Sequence, residues 1–478
     1  MKTNHAALAE STISLYEAQI KIYPRSISGS LAKWRWLMVW LTQLFFYGVP
    51  WLEWGQRQAL LFDLESKRFF IFGLVLYPQD LIYLTVLLII SALSLFLFTT
   101  VAGRLWCGYT CPQTVYTQIF LWIEAKVEGD RAARMKLDGS EVCSNKITKK
   151  TIKHIVWILF ALWTGFTFVG YFTPIRELMH DMMHFSAGPW NTFWVMFYGF
   201  ATYGNAGFMR EQVCKYMCPY ARFQSVMFDN DTMIVAYNEQ RGEPRGARSK
   251  KAELNNLKDK KLGSCIDCTM CVQVCPTGID IRDGLQYMCI GCGACVDACD
   301  SIMDKMNYPR GLIKYATQNG LSQNWSRQQM LKHILRPRVL IYSVLLILLC
   351  VGMGVSLYNR SGFRVDVMRD RGVMARLEGD KLENVYRLQI MNATESLQRY
   401  EIRASGLPEL ETEVESGSDE SHSNVVSVKS AEALNIAVDL KVPDGKVAAG
   451  SHKIVFEIKA LSSNSTETEK SVFLVPKY

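Results

Sequence analysis

The sequence is poor in charge and in histidine, and each shortage excludes a class of function. Only 21% of the 478 residues are charged and 49% are hydrophobic, which excludes an intrinsically disordered protein. None of the seven histidines lies well inside a long apolar run, so a bis-histidine haem within a membrane is not expected. The sequence also lacks a C-x-x-C-H haem motif, a G-x-G-x-x-G motif after a strand and a P-loop, which are the usual signatures of bound haem or nucleotide.

Long apolar runs predict five membrane-spanning helices, because about 20 apolar residues cover a hydrocarbon core about 30 Å thick. The expected spans are residues 36–52, 81–103, 155–175, 189–209 and 339–358. The sequence therefore indicates a multi-pass membrane protein, with a four-helix membrane region at 36–209 and a fifth helix further along.

The distribution of lysine and arginine predicts which side of the membrane each segment faces. These residues are frequent in 1–35, 104–154 and 210–338 and scarce in 53–80 and 174–188. By the positive-inside rule, the N-terminal segment 1–35 and the segment 210–338 are cytoplasmic. Five spans then place residues 359–478 outside. Topology thus accounts for most of the net charge of +8, and no nucleic-acid partner is expected.

Residues 359–478 differ from the rest of the chain in composition and in the pattern of apolar residues. They contain no cysteine, and apolar and polar residues alternate in short stretches at Tyr386–Met391, Tyr400–Ala404, Leu434–Val442, Lys453–Leu461 and Ser471–Val475. Alternation with a period of two, interrupted by turn residues, predicts an immunoglobulin-like β-sandwich. Nothing in this tail points to catalysis, so docking or structural support is the expected role.

Two cysteine runs between the fourth and fifth predicted helices carry the clearest chemistry. Each follows the C-x2-C-x2-C-x3-C spacing of bacterial two-cluster ferredoxins, in which the fourth cysteine binds the other cluster. The predicted ligands of one [4Fe-4S] cluster are Cys265, Cys268, Cys271 and Cys299, and those of the second are Cys289, Cys292, Cys295 and Cys275. Zinc knuckles are the alternative, but zinc sites pair C-x2-C units across a longer gap. A ferredoxin domain at about 255–310 is therefore predicted, and it should take single electrons from an external donor.

A second pair of motifs lies at the predicted membrane edge. Cys107 and Cys111 follow the second helix, and Cys214 and Cys218 follow the fourth, each in a C-x3-C-P pattern. Residues four apart share one face of a helix, so the two pairs could converge into a shared site of two to four thiolates. Soft thiolates favour Cu(I), zinc or iron–sulfur, while redox dithiols or buried structural cysteines are the other interpretations.

One weaker signal lies in the loop between the third and fourth predicted helices. Residues 179–184 read Met-His-Asp-Met-Met-His, and thioether and imidazole groups suit copper. An interfacial amphipathic turn is the simpler interpretation of the same residues.

Taken together, these motifs resemble the FixG/RdxA/CcoG family, bacterial accessory proteins of cytochrome c oxidase. The resemblance rests on both C-x3-C-P motifs, the double ferredoxin run before the last helix, the outer β-domain and the stretch from Gly204 to Gln224. It implies the bacterial inner membrane with a periplasmic C-terminal domain, and a role in assembling the cbb3-type oxidase with its assembly factors or copper chaperones. The implied activity is that of a cupric reductase, which converts Cu(II) to Cu(I).

The sequence thus predicts that an unknown cytoplasmic donor supplies electrons, which pass through two clusters to copper bound at Cys107, Cys111, Cys214 and Cys218. Two alternatives remain open at this point. One is a quinone-linked membrane electron-transfer subunit, and the other is a non-catalytic assembly scaffold or redox sensor.

Overall fold

The computed structural model describes residues 21–248, 262–370, 375–415 and 424–476. The first part of the predicted N-terminal segment and the start of the predicted ferredoxin domain lie outside these residues. The chain divides into two compact units. The cysteine unit comprises residues 1–41, 98–160 and 201–339, and the sandwich unit comprises 42–97, 161–200 and 340–478.

Within the described residues, three helices are long and apolar enough to cross a membrane. They are Pro78–Ala102, Ser144–Val169 and Pro337–Tyr358. Their leucine, isoleucine and valine side chains are largely exposed, as with Ile82 at 67% and Leu348 at 63%, which suits contact with lipid rather than water. A membrane protein is therefore confirmed.

The expected number of five spans is not shown, because the other two predicted spans differ from a regular membrane helix. The predicted span 36–52 corresponds to a helix of 19 residues, Ser30–Gly48, which carries Lys33 and Arg35 in its first turns. The predicted span 189–209 contains an α-helix of only 14 residues, Pro189–Thr202, followed by a π-helical stretch at Tyr203–Met209. Only these 14 residues, about 21 Å at about 1.5 Å each, form a regular α-helix, and the rest of the predicted span is π-helical.

The cysteine unit combines short helices with a small ferredoxin core. Its helices in the first half are Leu105–Tyr109, Pro112–Glu128 and Arg131–Gly139, and those after the π-helical Val213–Met217 are Pro219–Met227, Glu239–Gly242, Met270–Gln273, Ala294–Lys305, Gln318–Ser322 and Arg327–Lys332. Strand Ile234–Tyr237 pairs antiparallel with Ile313–Ala316. Both strands pack with Cys265, Cys271 and the helix Ala294–Lys305 in one apolar core, so the cysteine loops rest on this two-stranded sheet.

The sandwich unit contains the predicted β-domain. One antiparallel sheet joins Glu411–Glu415, Ala433–Pro443, Lys381–Asn392, Phe363–Arg369 and Arg376–Glu378, and the other joins Val425–Val428, Gln398–Ser405, Gly450–Ala460 and Thr466–Val475. All five stretches of alternating sequence are strands. Alternation works as expected in Gly450–Ala460, where Ile454, Phe456 and Ile458 are fully buried, because successive side chains of a strand point to opposite faces.

A small sheet that the sequence did not predict packs on this β-domain within the same unit. Its strands, Leu60–Asp63, Arg68–Ile71 and Leu74–Leu76, come from the segment between the first two long helices. Phe70 and Val75 share an apolar core with Met391 and Ala431 of the β-domain. The attachment is also polar, because the hydroxyl of Tyr77 donates to the Asn392 carbonyl at 2.9 Å.

The helix of the same unit that bears the Met-His segment is Ile175–Met183. The rings of His180 and His184 stack with their centroids 4.2 Å apart, and both side chains are exposed.

Candidate iron–sulfur and thiol site

The two ferredoxin runs fold so that cysteines from both repeats line the same cavities. Cys265, Cys268 and Cys271 line one cavity together with Cys299, which lies on the helix Ala294–Lys305. Each predicted first-cluster ligand is therefore at the same cavity, although three come from one repeat and the fourth from the other.

Another cavity gathers the predicted ligands of the second cluster. Cys289, Cys292 and Cys295 line it with Cys275, and Cys271 reaches it as well. Gly291 and Gly293 have positive φ angles of 66° and 71°, a conformation that glycine adopts without strain. The loop can therefore curl closely around a bulky group. This arrangement is the crossed one that the spacing predicts, while ligation itself stays a prediction.

At least four thiols line each of the two cavities. Within the described part of the chain, no group of three or more histidine, cysteine or acidic side chains is tight enough to hold one metal ion. Four thiols around a cavity are what a cubane requires, because each iron takes one thiolate. Burial raises the pKa of Cys271 to about 11 and that of Cys289 to about 12, so these thiols are protonated without metal, and metal binding must release protons.

The C-x3-C-P motifs are helix junctions rather than faces of one regular helix. Cys107 lies on the helix Leu105–Tyr109, whereas Cys111 is the N-cap of the next helix, Pro112–Glu128. Cys214 lies in the π-helical turn Val213–Met217, and Cys218 is likewise the N-cap of a helix that begins at proline. The prediction that each pair shares a regular helical face is thus wrong. Proline ends one helix and starts another, since its fixed φ suits the first helical position.

The thiols of both motifs nevertheless lie in one neighbourhood. Burial is the main cause that raises the pKa of Cys107 to about 12, with further contributions from Cys111 and Cys214. Burial likewise raises the pKa of Cys214 to about 11, and Cys111 and Cys218 add to the effect. The four sulfurs are close enough to influence one another electrostatically. We call this set of four cysteines the thiol site.

A buried glutamine that the sequence analysis did not select forms a hydrogen bond with the thiol site. The Gln224 side chain is fully buried and its amide donates to the Cys107 sulfur at 3.4 Å. Gln224 lies at the end of the stretch that supports the family resemblance, but no spacing rule marks a single glutamine as a partner of a thiol.

The two motifs are held together by contacts outside the cysteines. Gln113, next to the first motif's proline, donates to the carbonyls of Asn205 and Arg210, each at 3.0 Å. Arg210 in turn donates to the carboxylate of Glu124 at 2.7 Å, and Glu124 is fully buried. A buried ion pair of this kind fixes geometry more than it adds stability.

The thiol site touches the loop of the second cluster directly. Gly108 lies so close to this loop that a Cβ built on it would be 2.9 Å from Cys292 N, Cys292 Cα and Ile290 O. Cys107 packs against an apolar core that contains Ile290 and Cys292. The buried Arg104 donates to the carbonyls of Ala221 at 2.8 Å and Cys289 at 3.2 Å, and also to that of Tyr287. Backbone contact therefore joins the two groups of cysteines.

The two remaining cysteines, Cys143 and Cys350, are exposed.

Three family models match parts of the chain. A model described as a 4Fe-4S dicluster domain matches residues 209–318, and one described as a 4Fe-4S binding domain matches residues 84–128. A third, for the immunoglobulin-like fold at the C-terminal end of FixG, matches residues 353–476. Clusters in the ferredoxin region and an immunoglobulin-like tail are thereby confirmed.

Relatives match over nearly the whole length. The nitrogen fixation protein FixG of Rhizobium meliloti is 33% identical, over 97% of this chain and 94% of its own. RdxB of Cereibacter sphaeroides is 37% identical, over 92% of this chain and 93% of its own. A crystal structure of a FixG-related protein from Vibrio parahaemolyticus matches 25% of this chain and all of its own, with 24% identity and a TM-score of 0.22. The chain belongs to the FixG/RdxA/RdxB family of membrane iron–sulfur proteins.

Proposed function

We propose that this protein is a cupric reductase, in which electrons relayed by the ferredoxin domain reduce Cu(II) to Cu(I) at the thiol site. The observation that carries the proposal is the backbone contact between Gly108 and Cys292. This contact supports the proposal, because a predicted ligand of the second cluster then lies next to the residue that follows Cys107 in the chain, and electrons would have a short route.

The chain's residues have separable tasks in this reaction. The eight ferredoxin cysteines would hold the two clusters, which would supply one-electron transfer when bound. Arg104 fixes the second-cluster loop against the helix that follows Cys218. The thiol site binds the substrate, and its sulfurs favour the product because soft thiolates prefer Cu(I). Each Cu(II) ion gains one electron. Two thiolates suffice for Cu(I), so the absence of a tighter three-ligand group among the described residues is compatible with copper.

The proposal includes sidedness and a biological setting. Residues 1–35, 104–154 and 210–338 face the cytoplasm and residues 359–478 face the periplasm of the bacterial inner membrane, as the lysine and arginine distribution suggests. Family membership supports a role in providing Cu(I) to cbb3-type oxidase through assembly factors or copper chaperones. An alkaline phosphatase fusion after Arg360 should be active, whereas a fluorescent GFP fusion at the same point would contradict this topology.

A copper assay with matched cysteine variants tests the activity. Full-length protein, purified anaerobically, reduced with dithionite and then freed of excess dithionite, should convert Cu(II) to the coloured Cu(I)–bathocuproine complex. The double variant Cys107→Ser/Cys214→Ser should lose this reaction and retain the iron of the ferredoxin domain. The double variant Cys143→Ser/Cys350→Ser removes two exposed cysteines and serves as the control. Equal rates in both variants would place copper elsewhere, with His180 and His184 as the next candidates.

One observation favours a second candidate for the thiol site. A 4Fe-4S binding model matches residues 84–128, where only Cys107 and Cys111 are available. A cubane there would need Cys214 and Cys218 to complete four thiolates. Iron analysis separates the candidates, because two clusters give about eight irons per chain and three give about twelve.

A further inference from the structure

The cysteine unit contains a large apolar groove that the proposed function does not use. Its volume is about 1160 Å³, above the usual range of about 300–1,000 Å³ for small-molecule pockets. Trp34 and Met38 of the first helix and Phe98 at the end of the next long helix form its apolar side. Trp34 and Phe98 are more than half exposed, so the groove is open on its apolar side.

The opposite side of the groove is polar and reaches the redox residues. The Tyr109 and Tyr315 hydroxyls, both at the groove, lie 3.3 Å apart. Tyr315 donates its hydroxyl hydrogen to the carbonyl of Gly291 at 2.5 Å, and Gly291 lies between Cys289 and Cys292. Tyr109 also lies between Cys107 and Cys111 in the chain. The groove therefore borders both the second-cluster loop and the thiol site.

The lining restricts the chemistry of a ligand. Lys314 is the one cationic side chain among the groove residues that the structure describes, which is too little positive charge for a nucleotide or a flavin diphosphate. Aromatic and methionine side chains suit a long apolar molecule, and tyrosine hydroxyls suit an oxygen at its head. A membrane-soluble carrier of two electrons combines these properties.

We propose that this groove binds a quinol, which is the electron donor of the protein. The inference rests on the proposed function, because it names the source of the electrons used there. Oxidation of one quinol to quinone releases two electrons and two protons. The two electrons reduce two Cu(II) ions to Cu(I), and the protons pass to water at the polar end of the groove.

A substitution that fills the groove tests this site in the full-length protein. Met38→Trp places a large side chain in the groove, whereas Leu41→Trp makes a matching change on the same helix at a residue that does not line the groove and is 60% exposed. The fluorescent quinol analogue 2-heptyl-4-hydroxyquinoline N-oxide should be quenched on binding to wild type and Leu41→Trp. Met38→Trp should weaken its binding at least tenfold.

Copper reduction then connects binding to electron supply. Decylubiquinol should drive Cu(II) reduction in wild type and Leu41→Trp, with a rate at least tenfold lower in Met38→Trp. Once reduced with dithionite and freed of its excess, wild type and both tryptophan variants should reduce Cu(II) at equal rates. If dithionite works and the quinol does not, or if the two tryptophan variants behave alike, the quinol site is refuted and the cupric reductase stands. If the quinol oxidises without any copper reduction from either reductant, the quinol site stands and the copper proposal fails. Displacement of the analogue by quinone-free phospholipid would identify the groove as a lipid site and overturn the inference.

Discussion

Replacing Gly108 with alanine should disturb the contact between the thiol site and the second-cluster loop. The added Cβ would lie 2.9 Å from three backbone atoms of Ile290 and Cys292, whereas ordinary contacts are 3.4–4 Å. The two segments must separate by about 0.5 Å, since backbone atoms cannot rotate away as a side chain can. Overpacking of this kind costs about 1–3 kcal/mol.

The helix itself partly offsets this cost. Gly108 lies within the helix Leu105–Tyr109, where alanine is favoured over glycine by about 1 kcal/mol. The net cost is therefore up to about 2 kcal/mol, which corresponds to a shift of up to about 30-fold in the equilibrium toward the separated state. We therefore expect the rate at which dithionite-reduced protein reduces Cu(II) to fall by up to this factor, with the iron content unchanged because no cysteine is lost.

Gly139→Ala provides the control for this experiment. Gly139 ends the helix Arg131–Gly139, and a Cβ there meets nothing within 4 Å. Copper reduction and thermal unfolding should match wild type. If Gly108→Ala reduces copper as fast as Gly139→Ala and unfolds at the same temperature, the close contact and the electron route through it are both refuted.

Other perturbations follow from the same structure. Arg104→Met leaves buried carbonyls such as that of Ala221 without a hydrogen-bond donor, which costs about 1–3 kcal/mol for each carbonyl and weakens the attachment of the second-cluster loop. A chelator should therefore remove iron faster from Arg104→Met than from Lys136→Met, a control at an exposed residue. Cys275→Ser and Cys299→Ser should each lose about four irons per chain. In EPR spectra, Cys275→Ser should lack the signal of the second cluster and Cys299→Ser that of the first. Loss of the same signal in both variants would contradict crossed ligation. Phe456→Ala removes a fully buried ring and should destabilise fragment 359–478 by about 3–5 kcal/mol in urea unfolding, whereas Val472→Ala, at a half-exposed position, should cost well under half as much.

Local spacing was sufficient to predict the cysteine groups and the β-domain. The ferredoxin repeats place their ligands through short loops, so the spacing of Cys265 to Cys299 contains most of the geometry. Strands of the sandwich alternate because one face is buried and the other is not. The predicted stretch Leu434–Val442 lies within the observed strand Ala433–Pro443 for this reason.

Contacts between distant segments could not be predicted in this way. Gly108 and Cys292 meet although no periodic pattern connects them, and a glycine in C-x3-C gives no sign of backbone contact. The strands around Phe70 are too short for alternation to mark them, and their partner Ala431 lies far along the chain. Hydropathy likewise does not show that the regular α-helix from Pro189 gives way to π-helical backbone after Thr202, so the number of membrane helices stays a prediction beyond the three that are shown.

The double attachment of the β-domain has a mechanical consequence. The chain enters this domain from the helix Pro337–Tyr358, and a buried ion pair joins Arg360 to Asp80 at 2.5 Å, just before the helix Leu81–Ala102. Arg68 adds a bond to the carbonyl of Ala431 at 2.7 Å. A domain joined by one linker could rotate freely, whereas a domain attached at two points cannot move without moving both attachments. A force on the β-domain would thus be transmitted to the ends of the helices Pro337–Tyr358 and Leu81–Ala102, and no flexible linker would dissipate it.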